Sequence, residues 1–230
     1  MFRTALIALL LPASAAASDI TMIVSRTAES VEVFVGLPAD DAPAWLGGGL
    51  DGLLDEDGLV NYDNLRLTGT ASAGDEMFSE IEFTVAGQPV ALEAMSVMVH
   101  PADAELYFGS PIEAEMAMSV CTAPDEVSGA TLSQLRAYAG FNAYPVDRFA
   151  EIGIAVGGSE TRTIDLMVFE GHVLTQRDQI KVGPDAAIQL AGVEPANRSF
   201  ALPIALMLVA GGLAAALGLS HHRGRRASLT

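Results

Sequence analysis

The stretch Ser30-Val31-Glu32-Val33-Phe34-Val35 sets valine at every second position, with serine, glutamate and phenylalanine between. Successive side chains of an extended strand point to opposite faces, so this period of two predicts a strand with one face turned inward. The same reading applies to Ile81, Phe83 and Val85 between Glu80, Glu82 and Thr84. It applies again to Ile164, Leu166 and Val168 between Thr163 and Asp165, and to Ala114, Met116, Met118 and Val120 between Glu113, Glu115 and Ser119. Apolar runs bounded by Gly, Pro and Asp predict further strands at 20–25, 65–71, 90–99, 105–108, 152–156, 179–182 and 187–190. Many short strands with frequent turn residues point to a mainly β fold, an antiparallel β-sandwich.

Two segments break the alternation. Residues 44–54 group Trp45, Leu46, Leu50, Leu53 and Leu54 at helical spacing, but Gly47-Gly48-Gly49 makes that helix poor. In Thr131–Phe141, Leu132, Leu135, Tyr138 and Ala139 share a helical face, and Ser128 is available as a cap. This predicts one short helical crossover between two β-rich blocks, 19–121 and 149–193.

Outward from the strands, the ends are of a different composition. Residues 1–18 carry Arg3, an apolar run from Ala5 to Ala13 and a small-residue exit, the pattern of a secretory signal peptide. Residues 200–219 are twenty uncharged, mostly apolar positions, long enough as a helix to cross a bilayer core of about 30 Å. The tail 220–230 contains Arg223, Arg225 and Arg226 and no acid, which predicts a cytoplasmic C-terminus. The expected layout is a signal peptide, an exported domain over 19–198, one C-terminal transmembrane helix and a short basic tail. One Lys against eleven Arg, with abundant Ala and Gly, suggests a high-GC bacterium, hence an inner-membrane protein with a periplasmic domain.

The charge follows this division. The chain has 12 Lys+Arg against 29 Asp+Glu, a formal charge of −17, with a mean hydropathy of +0.36. All 29 acids fall between Asp19 and Glu194, and with its 8 basic residues the exported segment 19–198 carries −21. Such a charge excludes nucleic acid as a partner, because phosphate is repelled. The apolar content excludes intrinsic disorder, and a single cysteine excludes a disulfide scaffold.

Chemistry-bearing residues are few. Met95, Met98, Met116 and Met118 are four of nine methionines, within 24 residues, and His100 and Cys121 flank them. Thioether and imidazole are ligands that suit Cu(I). If both segments are strands, Met98 and His100 share one face and Met116 and Met118 share another. Met98, His100, Met116 and Met118 are therefore the candidate copper site, and the simpler account is core packing by methionine. The acidic loop Asp51, Asp55, Glu56, Asp57 and Asp63 echoes part of a calcium-binding loop but lacks ligands at both ends of the motif, and reads as a solvated loop. Cys121 with His100 or His172 is the remaining option for a nucleophilic enzyme, with only composition behind it. No phosphate-binding or dinucleotide motif occurs. The reading that needs least is a membrane-anchored binding or assembly module without catalytic activity, with a protein partner at the membrane. Copper handling is the alternative, and a Cys/His hydrolase or other enzyme comes third.

Overall fold

A computed structural model describes residues 20–42, 54–61, 63, 81–120, 122–144, 146–147, 149–157, 160–184 and 186–193. The N-terminal segment 1–18, the strand expected at 65–71, Cys121 and the apolar run 200–219 lie outside the described residues. Among the described residues no helix is long and apolar enough to cross a membrane.

The described chain is mainly β, in two sheets with few helices. The strands are β1 (Ile20–Arg26), β2 (Val31–Pro38), β3 (Ile81–Val85), β4 (Gln88–Pro89), β5 (Glu93–Pro101), β6 (Leu135–Ala143), β7 (Ile152–Val156), β8 (Arg162–Glu170), β9 (Val173–Val182) and β10 (Ala187–Leu190). Two helices, α1 (Pro111–Ser119) and α2 (Pro124–Val127), lie between β5 and β6. The larger sheet has the order β5-β6-β2-β1-β8-β9 and the smaller β10-β7-β3-β4.

Alternation places the core. Val31, Val33, Val35 and Leu37 of β2, Ile20, Met22 and Val24 of β1, and Ile164, Leu166 and Val168 of β8 point to the same side of the large sheet. They share one core with Ile81, Phe83 and Val85 of β3, Ile152 and Ile154 of β7, and Ile188 and Leu190 of β10 from the small sheet. Phe83 meets Phe141 of β6 edge to face, with centroids 6.4 Å apart, which links the two sheets. Each such side chain, fully buried, contributes about 1.5–3 kcal/mol, so this layer is the main source of stability.

A charged residue closes one end of that core. Arg26, at the last position of β1, is 1% exposed. Its Nη1 donates to Ala150 O (3.1 Å) ahead of β7, and its Nη2 donates to Ala191 O (2.8 Å) beyond β10. Glu170, its register partner on β8, lies 3.6 Å from Nε. One guanidinium thus ties the end of the large sheet to two carbonyls flanking the small one, which the planar fork of arginine suits and a lysine ammonium does not.

Four expectations need correction. The segment around 113–120 is not a strand: it forms α1, starting at Ser110, whose Oγ accepts from Glu113 N, with Pro111 at the first turn. The expected helix over 131–141 is instead strand β6, preceded by a single 3-10 turn at Leu132–Gln134, and Ser128 ends α2 rather than starting a helix. The strand expected at 105–108 is irregular chain. The sheet is also not purely antiparallel. β1 runs parallel to β8 over seven pairs, from Ile20↔Ile164 to Arg26↔Glu170. The long stretch of chain between them supplies the crossover that a parallel pair requires.

Candidate functional site

The outer face of the large sheet carries the polar and sulfur chemistry, and α1 lies on it. Ile23, Phe34, Tyr138, Met167 and Phe169 project from that face and cluster with Ala114, Ala117 and Met118 of α1. Two glycines make the seat. At Gly36 a Cβ would lie 3.2 Å from the Phe108 ring, and at Gly140 one would lie 2.8 Å from Met118 Cε. The sheet therefore lacks side chains where the covering segment descends.

Beneath the C-terminal end of α1 sits His100, 3% exposed on β5. Its Nε2 is 2.8 Å from Ala117 O and its Nδ1 is 2.8 Å from Thr122 Oγ1, which itself lies 2.8 Å from Val99 O. A carbonyl only accepts, so Nε2 carries the proton and donates to Ala117. In the neutral ring Nδ1 then accepts from the Thr122 hydroxyl. In the charged ring Nδ1 donates to Thr122, whose proton turns to Val99 O. Burial holds the His100 pKa below its ordinary value, against the Ala117 carbonyl and the Glu126 charge, which favour the cation. The Tyr138 ring stands edge-on at 5.6 Å. His100 is a clasp between β5, α1 and the residue after Cys121.

The four candidate copper ligands are not gathered as two strand faces. Met98 is half-buried opposite Tyr138 in the register, and His100 has both nitrogens engaged. Because 111–119 is helical, Met116 and Met118 diverge: Met118 is buried over Gly140 and Met116 is 59% exposed. Met95, at an irregularity of β5, is also exposed. Among the described residues no group of three or more His, Cys, Asp or Glu is arranged to hold a metal. In the acidic loop, Asp55 Oδ1 accepts from Asp57 N (3.0 Å) and Leu59 N (2.9 Å), so this carboxylate builds the turn; Asp51 lies outside the described residues.

A second polar group occupies the same sheet face nearer the Arg26 end. Glu32 of β2 stands between Ser25 of β1 and Asn142 of β6 in the register. Burial raises its pKa and the facing Glu115 of α1 raises it further, while Ser25 and His172 act in the opposite direction. Asn142 Oδ1 is buried with no hydrogen-bond partner among the described residues.

The feature that sequence reading missed is on the solvent side of α1. Ile112 (55% exposed), Met116 (59%) and Val120 (44%) recur every four residues, and Tyr107 (81%) precedes them. A helix lying on a sheet normally turns polar residues outward, but α1 sets Ile112 and Met116 beside Glu115 and Ser119 on its solvent side, with Val120 following at its C-cap. The sequence signal for it was Ser110-Pro111-Ile112-Glu113, a serine cap, a first-turn proline and an acid three residues on. No protein-family model matches this chain, and no curated protein is detectably similar to it.

Proposed function

We propose that this chain is a membrane-anchored periplasmic binding or assembly module without catalytic activity. In this reading residues 1–18 export the chain, the acidic domain is a β-sandwich in the periplasm, and residues 200–219 hold it in a bacterial inner membrane with the tail 220–230 in the cytoplasm. The observation that carries it is the exposed apolar set Ile112, Met116 and Val120, at a spacing of four along and just past α1, on an otherwise strongly acidic chain. Exposed apolar side chains in contiguous groups mark surfaces that a partner covers. A tether adds effective concentration at the membrane without adding contacts. The partner is a protein in or at the same membrane.

Gentle solubilisation of native membranes, followed by size exclusion of the full-length chain, tests this. The chain is expected to migrate with a second protein in fixed ratio. Migration as a clean monomer at every detergent and salt condition overturns the reading.

A further inference from the structure

We infer that the outward row of α1 is a docking surface for a basic, apolar-anchored segment of another protein. This rests on the binding-module reading and adds where the partner sits and what it is made of. The helix is placed independently of that partner: Ala114, Ala117 and Met118 hold it to the sheet and the His100–Ala117 bond fixes its end. Ile112, Met116 and Val120 are not among the buried residues of that seat, and each leaves about half of its apolar surface open to solvent. Ile112 and Met116 are i, i+4 neighbours, a spacing that fits an elongated apolar partner laid along the helix. Methionine in the middle suits a surface that adapts to what it meets.

Charge selects the occupant. Residues 103–126 contain Asp103, Glu105, Glu113, Glu115, Asp125 and Glu126 and not one Lys, Arg or His. Glu115 flanks the row and is exposed, and Glu113 on the other flank holds Gly109 N at 2.9 Å. A second copy would bring Glu113 and Glu115 against the same pair, and anionic lipid headgroups would be repelled in the same way. A segment with Lys or Arg around an apolar centre is attracted on encounter and covers the row on docking.

The test places p-benzoylphenylalanine at Ile112 or at Met116 in the full-length chain in its native membranes, with Gln176 on the exposed strand β9 as control. Irradiation from α1 is expected to capture a peptide of another protein that is net positive and carries large apolar residues. Yield should fall several-fold with Glu113→Gln and Glu115→Gln together, and fall again as salt is raised. Capture of a second copy, of lipid, of this chain's own residues 43–53 or 64–80, or of a segment without net positive charge overturns the inference. Capture from Gln176 but not from α1 overturns the surface and leaves the binding-module reading standing. No protein captured from either position overturns both.

Discussion

Gly140→Ala tests the seat of α1 most directly. A Cβ built there lies 2.8 Å from Met118 Cε, 2.9 Å from Met118 Sδ and 3.1 Å from Phe34 Cδ1. Carbon atoms pack at about 3.5–4.0 Å, so a neighbour must move by several tenths of an ångström. Phe34 is fully buried in the same cluster, which leaves the flexible thioether to give way, and α1 moves with it. Overpacking costs about 1–3 kcal/mol, and a yielding methionine places Gly140→Ala at about 1–2 kcal/mol. Met118→Ala alone removes a buried side chain and should cost about 2–5 kcal/mol. With Met118 gone, however, the new methyl enters vacated space. There Gly140→Ala should be neutral or favourable by about 0.5–1 kcal/mol, the ordinary advantage of alanine over glycine inside a strand. The two changes should therefore couple by about 1–3 kcal/mol, the double variant being more stable than the sum of the singles. Urea unfolding of the four proteins of this cycle, followed by circular dichroism, measures it. Equal cost for Gly140→Ala with and without Met118, within about 0.5 kcal/mol, would refute the packing argument.

Arg26→Met should destabilise by about 2–4 kcal/mol, because Ala150 O and Ala191 O lose their donor and Glu170 keeps a charge beside the core; Arg26→Lys should recover only part of this, and full recovery would show that the fork is not used. Stability should respond to pH in two opposing directions. Glu32 binds its proton more tightly in the folded state, so its contribution is present below its ordinary value of 4.5 and is lost as pH rises through the raised value. His100 binds its proton less tightly, so its contribution is present above 6.5 and is lost as pH falls through the lowered value. Glu32→Gln should thus raise the urea midpoint near about pH 8 and not near about pH 4, and a pH-independent shift would count against the burial of that carboxyl. Purified chain mixed with Cu(I) under reducing conditions should take up well below one ion per chain, since His100 Nε2 is committed to Ala117 and Met116 faces solvent; a one-to-one complex abolished by Met98→Leu or Met118→Leu would reverse that expectation.

Strands were legible where one face is apolar and the other polar. The alternation at Val31–Val35, Ile81–Val85 and Ile164–Val168 fell on β2, β3 and β8 with the named residues inward. β6 was not legible because both of its faces are covered. Leu135, Ala137, Ala139, Phe141 and Ala143 face one core, while Tyr138 and Gly140 are buried on the other face between Arg136 and Asn142, so the polar alternation is confined to the two ends of an alanine-rich run. Such a run, rich in alanine, scores as helix on propensity alone. Position in the sheet, not local preference, made it a strand. The parallel β1–β8 pair was beyond sequence reading for another reason: nothing local encodes which of two distant strands becomes a neighbour.

The misreading of α1 and the proposed docking surface have one physical cause. Glu113 and Glu115 alternate with Ala114, Met116 and Met118, which imitates a half-buried strand. A helix that served only to cap the sheet would have put polar residues at 112, 116 and 120, and its period of 3.6 would then have been visible. Apolar residues at those positions erase that period. They cost solubility, because about half of the surface of Ile112, Met116 and Val120 remains exposed after folding. A local rule broken without gain to the fold is expected where a surface serves a purpose outside the fold. The six acids between Asp103 and Glu126, with no Lys, Arg or His among them in the sequence, follow the same logic. On the proposed docking surface, such acids would disfavour a second copy of the chain and favour a partner of opposite charge.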